Sequence, residues 1–173
     1  MPPVLDLEVQ PLLPADAEVI SHWRYSGPYV FYDGPIGRES ESARYMLDSR
    51  NRFYAVRRAS TLVGFCSFGF DGRVAGGKYD DDALDIGAGM NPGLVGNGDG
   101  RAFLRAVVQH ATRNLKALRL RATVASWNER ALRASRSVGF NPVSTFRTQL
   151  GIEFTVLVRD SAPDENDGSS GAG

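Results

Sequence analysis

The chain has 173 residues, enough for one domain or at most two, and at that size a single core removes roughly 70% of the unfolded surface from water. Hydrophobic residues make up 42% and charged residues 23%, which excludes collagen, a coiled-coil array and a wholly disordered chain. Lys plus Arg number 20 and Asp plus Glu number 20, so there is no global basic field of the kind that marks nucleic-acid binders.

The first segment alternates, with Leu5, Leu7 and Val9 on one side and Asp6, Glu8 and Gln10 on the other. Period two predicts a strand with one buried face. Pro14 opens a helix whose stripe is Ala15, Val19, Ile20 and Trp23, since the first helical turn has no use for the N–H that proline lacks. Gly27-Pro28 and Gly34-Pro35 bracket an aromatic loop with Tyr25, Tyr29, Phe31 and Tyr32. A second helix is predicted from Glu39 to Arg50, and strands over Phe53–Arg58 and Leu62–Phe70. Residues 71–82 read as a surface loop ending in Asp80-Asp81-Asp82. A fourth strand, Ala83–Met90, contains Gly87 and Gly89, which suggests a bulge or the close approach of another backbone.

A glycine-laced loop then leads into a long helix, Asp99–Leu115, with Phe103, Val107, His110 and Ala111 at helical spacing. Leu118–Val124 alternates as a fifth strand, Asn128–Val138 is a fourth helix stopped by Gly139, and strands near Val143–Thr148 and Ile152–Arg159 close a hairpin. The expectation is an α/β fold: a mixed, mostly antiparallel sheet of about seven strands with four helices on both faces, over residues 1–159. Residues 160–173 are expected to be a flexible acidic Gly/Ser tail. That tail holds Asp160, Asp164, Glu165, Asp167 and no base, so residues 1–159 carry 20 basic against 16 acidic side chains, a net +4.

A single cysteine, Cys66, excludes a disulfide framework and a Cys-rich metal site. It lies in an apolar run and reads as a buried core thiol. Met1–Asp6 does not resemble a signal peptide and no apolar run is long enough to span a membrane. A cytoplasmic protein is expected, with neither membrane nor nucleic-acid partner and no metal.

Six of the 19 glycines fall within residues 87–100. Val95-Gly96-Asn97-Gly98-Asp99-Gly100-Arg101 sits between a strand and a helix start, where backbone N–H groups and the positive helix end can cradle a phosphate. The P-loop requires Gly-Lys-Ser/Thr, and here Arg101-Ala102 follows Gly100. The dinucleotide fingerprint requires Gly-x-Gly-x-x-Gly and an acid closing the next strand, and both are absent. An acyl-CoA loop fits the glycines, as does a glycine-rich turn without a ligand.

Ala83-Leu84-Asp85-Ile86-Gly87, Pro92, the glycine loop, the amphipathic helix and Trp127-Asn128-Glu129-Arg130-Ala131 running to Val138-Gly139-Phe140 together resemble the GNAT superfamily of acyl-CoA N-acyltransferases, and Trp23–Tyr32 with Leu84–Gly89 resembles a bacterial group within it. The resemblance covers about residues 4–159 in element order. It implies acetyl-CoA as co-substrate, with the backbone of Val95, Gly96, Asn97, Gly98, Asp99, Gly100 and Arg101 on the pyrophosphate. A splayed fourth strand would offer Ala88, Gly89 and Met90 to the pantetheine amides, and Asn128 would bond that arm near the thioester.

The resemblance further implies an acceptor groove under Trp23, Tyr25, Tyr29 and Tyr32. Asp85 stands where many members carry a base, and it would either relay an amine proton through water or pair with an arginine. The phosphate motif departs at Val95 and Asn97, and Ser135 stands in the place of the tyrosine that often protonates the leaving thiolate. Arg119 and Arg121 would reach the CoA 3′-phosphate or face water. The function implied is direct acetyl transfer to a primary amine in a ternary complex. The alternative is a CoA-binding module with little or no catalysis. The acceptor and the oligomeric state stay open, a homodimer among the options.

Overall fold

The alternating segment at the start forms β1, Leu7–Pro11, and six strands follow: β2, Phe53–Arg58; β3, Thr61–Phe68; β4, Leu84–Met90; β5, Arg119–Ala125; β6, Asn141–Arg147; and β7, Glu153–Asp160. They make one sheet in the order β1-β2-β3-β4-β5-β7-β6 in the computed structural model, which describes residues 6–161. All neighbours are antiparallel except β4 and β5. Parallel neighbours need a crossover, and α3, Gly100–Arg113, provides it. With α1, Pro14–Ser21, α2, Glu39–Leu47, and α4, Glu129–Ser137, the sheet and four helices read from the sequence are the fold observed. Asp160, the first residue of the expected tail, ends β7, and residues 162–173, where the rest of that expectation falls, lie outside the described residues.

Local chemistry sets the helix ends. Pro14 takes the first position of α1, and the Asp16 carboxylate accepts from the Leu13 N–H at 2.9 Å. The second helix stops short of Arg50 because Asp48 turns extended and its carboxylate accepts from the Arg50 N–H at 3.0 Å, starting a separate turn over Ser49–Asn51.

The two faces of the sheet bury different sets. Phe103, Val107, Val108 and Ala111 of α3 and Leu132 of α4 pack with Val56, Val63, Phe68, Leu120 and Leu157. Ala17 and Ile20 of α1 and Ala43 and Met46 of α2 form a second cluster with Leu62 and Phe65. A register shift between β2 and β3 pairs Val56 with Gly64 and Arg57 with Leu62, leaving Val63 as the extra residue. Such a bulge shifts the alternation, which is how Leu62 and Phe65 come to share one face while Val63 joins Cys66 and Phe68 on the other.

Candidate active site

Strands β4 and β5 pair only through Leu84–Leu120, Asp85–Arg121 and Ile86–Ala122. Beyond that point β4 runs on to Met90 and β5 to Ala125 without a shared ladder, while β4 keeps pairing with β3 as far as Met90 opposite Gly64. The sheet is therefore split at the carboxyl ends of its two parallel strands, which in open α/β sheets is where ligands bind. The outer side of Gly87–Met90 offers backbone groups to a ligand, and Ala88 is exposed there.

The glycine loop lies next to this split. Gly96 (φ +90°) and Gly98 (φ +80°) adopt a backbone that side chains disfavour, and a Cβ on Gly98 would meet nothing within 4 Å. Residues 96–98 are exposed ahead of α3, whose first turns carry Arg101 and Arg105. Asp99 is turned to Arg58 of β2, at 3.5 Å, which offsets its negative charge. Arg130 of α4 comes within 4.0 Å of the position a Gly96 side chain would take, and its guanidinium sits 4.6 Å over the Tyr29 ring. Neither Val95 nor Asn97 carries a charge, so Arg130 is a cation at this loop that the motif reading did not single out. The residues present fit a pyrophosphate.

The aromatic segment closes over the other side. Asp33 accepts from the Tyr25 N–H at 2.8 Å, tying the loop's ends together, and Gly27–Tyr32 forms a 3₁₀ turn. The Tyr25 hydroxyl donates to the Met90 carbonyl at 2.7 Å, and burial, with help from Asp33, pushes its pKa up to about 12. The Tyr32 hydroxyl meets Asn128 Nδ2 at 2.9 Å. Tyr29, Phe31 and Tyr32 stand 5.7, 5.7 and 5.8 Å from Trp127. Beside them lies a groove of about 700 Å³ lined by Pro28, Phe31, Ser126, Trp127, Ile152 and Glu153. Trp23 is elsewhere: it packs 6.2 Å from Phe65, against the α1–α2 cluster, and seals the core instead of lining the groove.

Asp85 does not serve as a free base. It is 1% exposed, and its carboxylate accepts from Arg121 Nε and Nη2 at 2.7 and 2.9 Å and from Arg73 Nε at 2.9 Å. Gly87 and Gly89 on the same strand sit in close packing. A Cβ at Gly87 would lie 2.4 Å from Ser67 Oγ, and one at Gly89 would lie 2.5 Å from the Phe65 ring. Arg121 is likewise buried, held by Asp85 and Asp80, and does not face water or a 3′-phosphate. Arg119 turns to Asp82 and Asp160 at 3.8 and 3.6 Å.

Tyr79 lies between Arg73 and Arg121, 5.5 and 5.0 Å from its centroid, and pins the 71–82 loop through Thr123. Ser135 is 4% exposed on α4 beside the buried Leu132. Asn128 caps α4, its Oδ1 accepting from the Ala131 N–H at 3.0 Å. Cys66 is buried, and desolvation raises its thiol well above the usual range.

Phe31, Trp127, Ile152, Glu153 and Arg130 were not read from the sequence as site residues. They come from three segments spread over more than a hundred residues, and only the place of Phe31 in the aromatic loop and the proximity of Trp127 and Arg130 to Asn128 hinted at a role. Among the described residues no cluster of three or more His, Cys, Asp or Glu could hold a metal ion. No helix among them is long and apolar enough to cross a membrane.

Comparison with known proteins agrees with this geometry. The chain is 30% identical over 121 residues to the N-alpha-acetyltransferase RimI of Mycobacterium tuberculosis, covering 68% of this chain and 72% of that protein. Its fold superposes on the aminoglycoside acetyltransferase AAC(6′)-Ib with coenzyme A at a TM-score of 0.72, with 17% identity over 90% of this chain and 95% of that one. A spermidine N-acetyltransferase SpeG chimera from Vibrio cholerae and hSSAT gives 0.68, with 15% identity over 90% and 95% of the two chains. Residues 6–141 match the family described as Acetyltransferase (GNAT) domain. The chain therefore belongs to the GNAT acetyltransferase family, whose co-substrate is acetyl-CoA.

Proposed function

We propose that this protein is an N-acetyltransferase that moves acetyl from acetyl-CoA to a primary amine by direct attack, with both substrates held together on the split sheet. The observation that carries the reading is the separation of β4 from β5 beyond Ile86 and Ala122, with the glycine loop on one flank and an aromatic groove on the other. Backbone N–H groups of Val95–Arg101 and the Arg130 guanidinium hold the pyrophosphate, and the start of α3 adds its positive end. Ala88–Met90 pair with the pantetheine arm as another strand would.

The acceptor occupies the groove between Phe31, Trp127 and Ile152, where the Glu153 carboxylate, one oxygen of which pairs with Arg147 at 3.2 Å, turns toward an ammonium group. Spermidine and aminoglycosides, the acceptors named for two structural neighbours, are such amines. Fixing amine and thioester side by side supplies much of the rate. A backbone N–H near Ala88–Met90 polarises the thioester oxygen as charge develops on it. The buried Asp85 and Ser135 favour a second reading, a CoA-binding module without useful catalysis.

Calorimetry with acetyl-CoA, followed by CoA release in the presence of spermidine, ribostamycin or a peptide with a free N-terminus, tests both. One-to-one binding with turnover above blank is expected. Binding without turnover on any of the amines leaves the module, and no heat at millimolar acetyl-CoA sinks both readings.

A further inference from the structure

The thiolate that leaves when an amine takes the acetyl group must acquire a proton, and Ser135, which the resemblance puts at that step, is buried on α4. Two tyrosines of the 25–33 loop reach the edges of the split, and their hydrogen bonds separate them. Tyr25 spends its hydrogen on the Met90 carbonyl at 2.7 Å. Tyr32 does not. Asn128 must present Oδ1 to the Ala131 N–H it caps at 3.0 Å, so its amide turns Nδ2 toward Tyr32 at 2.9 Å. An amide NH₂ only donates. The Tyr32 oxygen is therefore an acceptor, and its own hydrogen is uncommitted among the described residues. Resting on the acetyl-transfer reading, we infer that Tyr32 is the proton donor to the departing sulfur.

Its position suits the task. The Asn128 N–H donates to the carbonyl of Ala125, the last residue of β5, at 2.8 Å, so the Tyr32 hydroxyl hangs at the β5 edge of the split. Rings of Phe31 at 5.0 Å and Trp127 at 5.8 Å hold the phenol, which is 42% exposed and so within a ligand's reach. Burial raises the pKa of Tyr32, against the pull of the Asn128 bond, and keeps the phenol protonated at neutral pH. Once the proton has left, the positive end of α4 and the Asn128 amide stabilise the phenolate.

The step balances. The neutral amine nitrogen attacks the thioester carbon and a C–N bond forms. The C–S bond then breaks with its electron pair on sulfur, and the sulfur takes the Tyr32 proton. The phenolate recovers a proton from the nitrogen as it becomes an amide. Water relays that last transfer.

The test uses CoA release by the purified protein with acetyl-CoA and spermidine, ribostamycin or a free N-terminal peptide. Tyr32→Phe is expected to lower kcat at least tenfold (~1.4 kcal/mol), with the acetyl-CoA KM and the melting temperature little changed. Wild-type kcat in that variant overturns the role while leaving the acetyl-transfer reading intact. Failure of the wild type on every amine overturns that reading and the role with it. Should Tyr32→Phe lose stability, difluorotyrosine at position 32 decides, because it keeps the oxygen and makes the phenol more acidic. The basic limb of the kcat–pH profile is then expected to move to lower pH, and a limb that stays in place assigns Tyr32 to structure alone.

Discussion

Asp85 shows how one carboxylate is taken from chemistry by its neighbours. Two guanidinium groups reach it at 2.7–2.9 Å, and it is 1% exposed. Breaking a buried ion pair by removing one partner costs about 3–5 kcal/mol. For a chain of this length each kcal/mol lowers the melting temperature by roughly 2–4 °C, so Asp85→Asn is expected to melt roughly 6 °C or more below wild type by calorimetry. Its acetyl-CoA affinity should survive at temperatures where it is folded. His110 carries a second residue-scale expectation. It stacks on Phe68 at 5.7 Å beside Tyr54 at 5.0 Å, its Nε2 is buried without a partner, and desolvation lowers its pKa. The unfolded chain takes up the His110 proton near pH 6.5, while the folded protein resists it to lower pH. Stability from this group is thus complete above that value and is lost as pH falls through the folded pKa. The urea midpoint should drop between pH 7.5 and 5, and His110→Leu should flatten part of that drop.

At the scale of elements, the loop before α3 and the loop before α2 do opposite jobs. Residues 96–98 keep an open, exposed backbone at the helix start, and Gly98 holds φ +80° with no side chain near it. Gly98→Val puts a branched residue where its φ is strained, so the backbone must move and its N–H groups lose their aim. We expect acetyl-CoA affinity to fall at least tenfold by calorimetry while the melting temperature stays within a few degrees, because residues 96–98 are exposed and belong to neither core cluster. A folded variant with unchanged affinity places the pyrophosphate elsewhere. The 25–33 segment is closed by Asp33 and pinned at Met90 and Asn128. It joins two parts of the sheet that the strand ladder leaves apart.

For the molecule as a whole, β4 and β5 share no ladder beyond Ile86 and Ala122, and a bound pantetheine arm would bridge that split. A ligand that binds only the folded state at a hundred times its Kd stabilises by about 2.7 kcal/mol. Acetyl-CoA at that level is therefore expected to raise the melting temperature by roughly 5–11 °C. An unmoved melting curve at millimolar acetyl-CoA would count against a ligand spanning both halves of the sheet.

The strands, the helices, their order and the glycine loop were legible in the sequence, because alternation, helical spacing, Pro14 and Gly139 act within a few residues of one another. Those local rules also placed Asn128 at a helix start, where it caps α4. They could not place Asp85, since its partners Arg121 and Arg73 lie 36 and 12 residues away and one of them sits in a stretch that read as a surface loop. Gly87 and Gly89 suggested a bulge or a neighbouring backbone, yet it is the side chains of Ser67 and Phe65 on the neighbouring strand that come close. Trp23 and Tyr32 looked alike nine residues apart; packing sent one to the core and the other to Asn128, 96 residues on. Burial, pairing and the free hydrogen of a hydroxyl are set by what the folded chain brings alongside, and at this site only the tertiary structure decided them.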